Sequence, residues 1–312
     1  MSSGTTASRG AIAARGLVRR FGDTVAVDGL DLDVAEGEFF GLLGPNGSGK
    51  TTTIHMLSTL VRPSEGTANV AGYDVSSDPV RVRSQIGLVF QESALDRTLS
   101  VAENLRFAGM LYGLSPSEIE RRGRELLELF GIADKAAKSV GTLSGGQRRA
   151  LDIIRGVIHE PRVLFLDEPT IGLDIPIRRR IWRFIETLRQ RNRMTVLLTT
   201  HYLEEAGACD RVAFIRKGKL VSQGAPADLV AALGSHIVEF ETENANELLA
   251  RLEPRLGHGV KEGSTVLIRY PHEDTTGLHR LQEELGGLVT AMRVRRPNLN
   301  DVFLWVHAGA QP

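Results

Sequence analysis

Apolar residues recur along this chain in three patterns, and each predicts a different kind of element. Leu30, Leu32 and Val34 alternate with Asp31 and Asp33. A period of two marks a strand with one wet face, here Val25 to Val34. Ile12 to Phe21 reads as a strand ending before Gly22-Asp23. Short unbroken apolar runs suit strands buried on both faces. Val163 to Leu166 and Thr195 to Thr199 are of this kind, with Phe39 to Leu43, Thr67 to Val70 and Ile86 to Phe90 as further strands. Helical spacing governs Val101 to Tyr112 and Pro116 to Phe130. In the latter, Leu126, Leu127, Leu129 and Phe130 oppose Glu118, Glu120, Arg121 and Arg122. Ser115, Pro116 and Glu118 predict its start, and Gly131 its stop.

Residues from about 92 to 160 therefore read as a helical insertion in an α/β domain. A helix from Pro176 to Arg191 carries Arg178, Arg179, Arg180 and Arg183 among Ile177, Ile181 and Trp182, which suits a solvated face. Val212 to Ile215 and Leu220 to Ser222 predict a hairpin around Lys217-Gly218. Gly224-Ala225-Pro226 marks a boundary, giving a first domain of 12–224 and a second of 225–312. Residues 1–11 form an expected disordered tail, rich in Ser, Thr and Gly at its start. In the second domain, Ile237 to Glu241, Ala245 to Leu252, Ser264 to Tyr270, Gly277 to Leu285 and Ala291 to Val294 mix strands and helices. His236, His258, His272, His279 and His307 lack metal-ligand spacing and are expected at the surface.

Composition narrows the chemistry. Lys+Arg and Asp+Glu both number 38 in 312 residues, so no basic footprint for nucleic acid is present. Cys209 is the sole cysteine, which excludes a disulfide scaffold and suits a reducing cytosol. No apolar run approaches the roughly 18 residues of a membrane span. Any action at a membrane then needs another chain to cross it.

The chemistry concentrates at Gly44-Pro45-Asn46-Gly47-Ser48-Gly49-Lys50-Thr51, a G-x-x-x-x-G-K-T pattern between a strand and the helix-like run from Thr52 to Leu60. Glycines let backbone N–H groups close on an anion, Lys50 reaches β- and γ-phosphates, and the Thr51 hydroxyl suits Mg²⁺. The chain is expected to bind a nucleoside triphosphate. Asp167, ending an apolar strand, is placed to hold Mg²⁺, and Glu168 to polarise water. An ordinary acidic turn is the alternative. Gln91 at a strand end can complete a metal or water shell, though such residues are more often plain surface. His201 stands past a strand end where ligands bind in such sheets, though a lone histidine is usually structural. Leu143-Ser144-Gly145-Gly146-Gln147 opens the helical run from Arg148 to His159, a second helix-start anion site about a hundred residues after the first.

Together these motifs resemble the ATP-binding subunit of ABC transporters, over about Ile12 to Gln223. The resemblance implies a P-loop NTPase core of ABC ATPase type, with a helical signature subdomain and a small α+β C-terminal domain. It implies ATP and Mg²⁺ as bound species. Phe21 resembles the aromatic that stacks on adenine; core packing is the default for a lone Phe. Gly44 to Thr52 (Gly44, Pro45, Asn46, Gly47, Ser48, Gly49, Lys50, Thr51, Thr52) resemble the triphosphate loop. Gln91, Asp167 and Thr51 are implied at the metal, with Glu168 as base, His201 at the γ-phosphate and Gln91 near the attacking water. Ser144, Gly145, Gly146 and Gln147 are implied to contact ATP held by the other subunit, with Asp174 in the loop that signals between subunits. Ile171 and Ile175-Pro176 depart from that loop's usual residues.

A head-to-tail dimer answers the presence of two anion sites in one chain. The implied partners are a second copy or a related ATPase chain, and integral membrane permease subunits at the cytoplasmic face; no nucleic acid is expected. Pro297, Leu299, Asp301, Val302, Phe303 and Leu304 are similar to a segment near the end of drug-resistance-type exporter ATPases. The same segment also suits a helix capped by Asn298 or Asn300. A non-transport ATPase on ribosomes or DNA, and an importer ATPase, are the competing readings.

Overall fold

The computed structural model describes residues 10–273 and 276–308, so residues 1–9 of the expected tail lie outside the described residues. Ala11 is buried. The chain forms two compact units. One runs to His201 and includes Ile215–Leu220; the other holds Tyr202–Phe214 and everything from Val221. The expected boundary at 224–225 falls inside the second unit.

In the first unit, β1 (Ile12–Phe21), β2 (Thr24–Val34), β4 (Glu65–Val70) and β5 (Tyr73–Asp74) form an antiparallel sheet in the order β2-β1-β4-β5. From Leu30 to Val34, β2 alternates buried and exposed residues, as its pattern predicts. A second layer is parallel: β3 (Phe39–Leu43), β8 (Thr195–Thr200), β7 (Val163–Asp167) and β6 (Ile86–Val89) adjoin in that order. Every residue of β3, β7 and β8 is buried, which explains their unbroken apolar runs. Phe39 pairs with Val196, Val163 with Thr195, and Ile86 with Val163.

Helix α1 (Lys50–Leu57) follows β3 and stops before the expected Leu60; α2 (Pro79–Gln85) precedes β6. The insertion contains α3 (Val101–Leu111), α4 (Pro116–Phe130) and α5 (Gly145–Val157). All three open with capping boxes: Ser100 with Glu103, Ser115 with Glu118, and Ser144 with Gln147. Gly131 closes α4 at a φ of 78°. Ile119, Leu127 and Phe130 are buried, while Leu126 and Leu129 are only partly so. Helix α5 does not stay within the insertion. Its last turn packs on β6, where a Cβ on Gly87 would meet the Gly156 carbonyl oxygen at 2.1 Å. One helix thus joins the helical layer to the parallel sheet.

The arginines of α6 (Ile175–Asn192) lie mostly on an exposed face, and two of them also make defined contacts. Arg179, Arg180 and Arg183 are exposed, and Arg178 is half-buried. Arg178 donates to the Leu173 carbonyl at 3.2 Å. Arg180 donates to the Phe130 carbonyl and lies 4.6 Å from the centre of the Phe130 ring. It is a cation at the C-terminus of α4, where the helix dipole favours one.

Beyond His201 come α7 (Leu203–Ala206), then β9 (Arg211–Arg216) and β10 (Lys219–Gly224), joined through Lys217 and Gly218. Both turn residues have positive φ, 49° and 78°, as a type I′ hairpin requires. The second unit continues with α8 (Pro226–Ala231), β11 (His236–Glu241), α9 (Ala245–Leu256), β12 (Gly259–Glu262), β13 (Thr265–Tyr270), α10 (Thr276–Leu285), β14 (Ala291–Arg295) and α11 (Leu299–Ala308). Its sheet runs β12-β13-β11-β14, with all neighbours antiparallel. Val238, Phe240, Val266 and Ile268 pack against Leu248, Leu252, Leu278 and Leu281.

Arg295 is bound by Glu239 at 2.6 Å and by both oxygens of the fully buried Asp301 at 2.7 Å. These partners hold its guanidinium above its already high pKa. The Pro297 to Leu304 segment is therefore built into its own unit, with Asn298 accepting from the Asn300 N–H at 2.8 Å. His258, His272 and His279 are exposed as expected, whereas His236 and His307 are half-buried. His307 sits one turn after Phe303, and their ring centres are 3.9 Å apart.

Candidate functional site

Glycines shape the phosphate loop. A Cβ on Gly44 would lie 2.4 Å from the Ile215 carbonyl oxygen, and one on Gly49 would lie 2.5 Å from that of Ala26. Gly49 also has a φ of 110°. Space and backbone conformation both exclude a side chain there. Helix α1 starts from Gly49 with no side-chain cap. Its first N–H groups therefore point out of the helix without a side-chain acceptor, the arrangement that binds anions. The hairpin turn supports the loop from outside: Gly218 N–H donates to the Ser48 carbonyl at 2.9 Å.

Lys50 is buried and donates to the carbonyls of Gly44 at 2.8 Å and Pro45 at 3.1 Å. Its Nζ lies 3.5 Å from Glu168 Oε1. Burial pushes its pKa down, and the charges of Glu168 and Asp167 act against that shift. Asp167 ends β7 beside Thr199 of β8. Its Oδ1 accepts from the hydroxyls of Thr199 and Thr51, the latter at 3.1 Å. Thr199 is not singled out by its sequence context; the signal it does carry is a hydroxyl pair, Thr199-Thr200, ending an apolar run.

Glu168 adopts a left-handed backbone with a φ of 45°, a strained conformation for a residue with a side chain. Its N–H is shared between the carbonyl and hydroxyl oxygens of Thr199, each at 3.1 Å. That backbone aims the carboxylate between Lys50 and His201. His201 Nδ1 lies 3.2 Å from Oε2. Asp167 and Glu168 are both buried.

A cavity of about 430 Å³ is lined by Phe21, Asn46, Gly47, Gly49, Lys50, Thr51, Thr52, Gln91, Glu168 and Ile171. Phe21 is 47% exposed, so it is not a core residue. The Arg19 guanidinium lies 4.4 Å from the centre of its ring. Gln91 is exposed, just past β6. Ser48 is buried, and its hydroxyl has no hydrogen-bond partner among the described residues.

Ser144, Gly145, Gly146 and Gln147 do not line this cavity. Ser144 Oγ accepts from the Gln147 N–H at 3.3 Å, and Gln147 Oε1 accepts from the Ser144 N–H at 3.0 Å. Gly146 packs against Ile177, where a Cβ would come within 2.6 Å. Asp174 caps α6 by accepting from the Ile177 N–H at 2.9 Å. Arg149, likewise silent in the sequence pattern, is buried two residues past Gln147 and donates to carbonyls around the site.

The family model "ABC transporter" matches residues 27–171. The daunorubicin/doxorubicin resistance ATP-binding protein DrrA of Streptomyces peucetius is 44% identical over 94% of this chain and 91% of its own. The Nod factor export ATP-binding protein I of Cupriavidus pinatubonensis is 39% identical over 92% and 87%. Among solved structures, cbiO1 of Clostridium perfringens superposes with a TM-score of 0.66 at 27% identity, covering 80% of this chain and 96% of that one. A dimeric post-hydrolysis structure of the cassette MJ0796, bound to ADP and Pi, gives 0.63 at 25% over 69% and 98%. With this loop, this carboxylate pair and relatives matched along nearly their whole length, the chain belongs to the ABC transporter family as an ATP-binding, ATP-hydrolysing subunit.

Proposed function

We propose that this chain dimerises around two ATP molecules and drives a separate membrane permease that exports drugs, antibiotics or other amphiphiles. The observation that carries the reading is the Lys50–Glu168 pair lining the phosphate-loop cavity, with His201 3.2 Å from the Glu168 carboxylate. Lys50 and the N–H groups of the loop bind the β- and γ-phosphates, and Phe21 stacks on the base. Glu168 takes a proton from the attacking water, His201 holds that carboxylate in place, and Gln91 orients the water. Thr51 and Asp167 offer a hydroxyl and a buried carboxylate oxygen 3.1 Å apart, a hard-oxygen set that fits Mg²⁺. When bound, the ion neutralises phosphate charge.

The signature residues Ser144, Gly145, Gly146 and Gln147 lie outside that cavity, which supports their use by a second subunit. No described helix is long and apolar enough to cross a membrane, so the permease is another chain. The peripheral, cytoplasmic-face position follows from that partnership. The kinship with drug-resistance and Nod factor export proteins supports export as the direction.

Glu168→Gln is the test. Loss of a general base costs about 10²–10⁴-fold in rate. The variant is expected to bind ATP normally, hydrolyse it that much more slowly, and accumulate as an ATP-held dimer by light scattering. Drawn from solubilised membranes with ATP and Mg²⁺, it is expected to bring a multi-helix membrane protein in about equal amount. Hydrolysis at the wild-type rate would remove Glu168 as base; recovery with ribosomes or DNA instead would overturn the transport reading.

A further inference from the structure

Helix α5 carries a charge that the proposed chemistry does not use. Arg149 is 8% exposed. Its Nη1 donates to the Phe90 carbonyl and its Nε to the Pro169 carbonyl. Its Nη2 reaches the carbonyls of Asp167 and Glu168, both at 3.3 Å. One guanidinium therefore spans two strand ends: the residue before Gln91, and the three residues from Asp167 to Pro169. Burial lowers its pKa, with Asp152 and Asp167 opposing. A buried charge satisfied mainly by carbonyl oxygens is costly.

Glu168 supplies the reason. Its backbone is left-handed and needs support from both sides. Thr199 holds the N–H, and Arg149 holds the carbonyl. Planar guanidinium geometry lets one side chain fix several acceptors at once, which a lysine cannot do.

We infer that Arg149 is a positioning residue for hydrolysis: it locks the strained Glu168 peptide and the strand end before Gln91 onto the helix that begins at Ser144. The inference rests on the reading of Glu168 as the base. It makes the catalytic carboxylate and the signature of the same chain move as one body.

A double-mutant cycle on the full chain tests it, using Arg149→Met, Glu168→Gln and the pair. Arg149→Met is expected to lower kcat by about 10²-fold, the cost of misplacing a reacting group by about 1 Å, with the Kd for ATP within about threefold. In the Glu168→Gln background the same change is expected to cost less than about twofold, because the group it positions is already gone. Arg149→Lys is expected to fall between wild type and Arg149→Met. An equal loss in both backgrounds, or a loss confined to ATP affinity, overturns the inference while leaving Glu168 as base. Wild-type hydrolysis by Glu168→Gln alone overturns the underlying reading instead. If circular dichroism shows Arg149→Met unfolded, Arg149→Gln takes its place in the same cycle.

Discussion

Two helices in this chain begin with sequences suited to anions, and they begin in opposite ways. Helix α1 starts from a left-handed glycine, without a side-chain cap, inside a cavity that also holds Lys50 and Glu168. Helix α5 starts with a complete capping box, and its Ser144 and Gly145 are exposed. The first site is assembled by its own chain. The second already has its first-turn donors partly satisfied by Ser144, and no cation from the cavity lines it. On the proposed reading it is half of a site, completed when another subunit carries the phosphate to it. That asymmetry is the physical basis for expecting a head-to-tail dimer.

The largest expected effect concerns the first site. Lys50→Ala removes the buried cation and should weaken ATP binding by about 2–5 kcal/mol, the usual cost of truncating a buried charge partner. Titration calorimetry reads it directly. An unchanged Kd would mean that the α1 site does not hold the triphosphate, and the contrast with α5 would collapse.

The next effect lies at the far end of α5, which must stay seated if its exposed start is to meet a partner. His159 stacks on Tyr112 with ring centres 3.5 Å apart, and its Nε2 is 2.9 Å from the Ile86 carbonyl. Burial pushes its pKa from 6.5 down to about 4, against the Ile86 hydrogen bond. The folded protein thus holds this proton less tightly than the unfolded chain. Its stability contribution is full above about pH 6.5 and is lost as pH falls toward 4. Between pH 7.5 and 5 the loss should be about 2 kcal/mol. Thermal melts at the two pH values should show it in wild type, with a smaller pH dependence in His159→Gln. An identical dependence in both would discard His159 as the cause.

The smallest effect is on the second site. Ser144→Ala removes one cap and should cost about 1 kcal/mol of stability. Its Kd for ATP at low protein concentration should stay within about twofold. In the Glu168→Gln background it should reduce the ATP-held dimer seen by light scattering. A large loss of ATP affinity at low protein concentration would place Ser144 in the same site as Lys50 and erase the distinction.

Local features are legible in the residues themselves. The capping box at Ser115, the stop at Gly131 and the Lys217-Gly218 turn each depend on a few neighbouring residues. The strand–glycine–helix order around Lys50 is equally local. Boundaries are less legible where packing sets them. Helix α1 ends at Leu57, and α5 runs out of the helical layer onto β6 because Gly87 and Gly156 allow close approach. Arg180 reads as one of several solvated arginines, since its partner at Phe130 is fifty residues away.

By itself, the sequence determined which residues could serve a triphosphate: a glycine loop with Lys50 and Thr51, and a carboxylate pair closing a buried strand. Those traits follow from side-chain chemistry and short-range periodicity. Only the tertiary structure decided how they meet. The order β3-β8-β7 puts Thr199 on Asp167 and brings Thr51 to the same oxygen. It turns Glu168 toward Lys50 and His201, and it leaves the signature outside their cavity. Strand order and register are settled by long-range pairing, which no local pattern encodes.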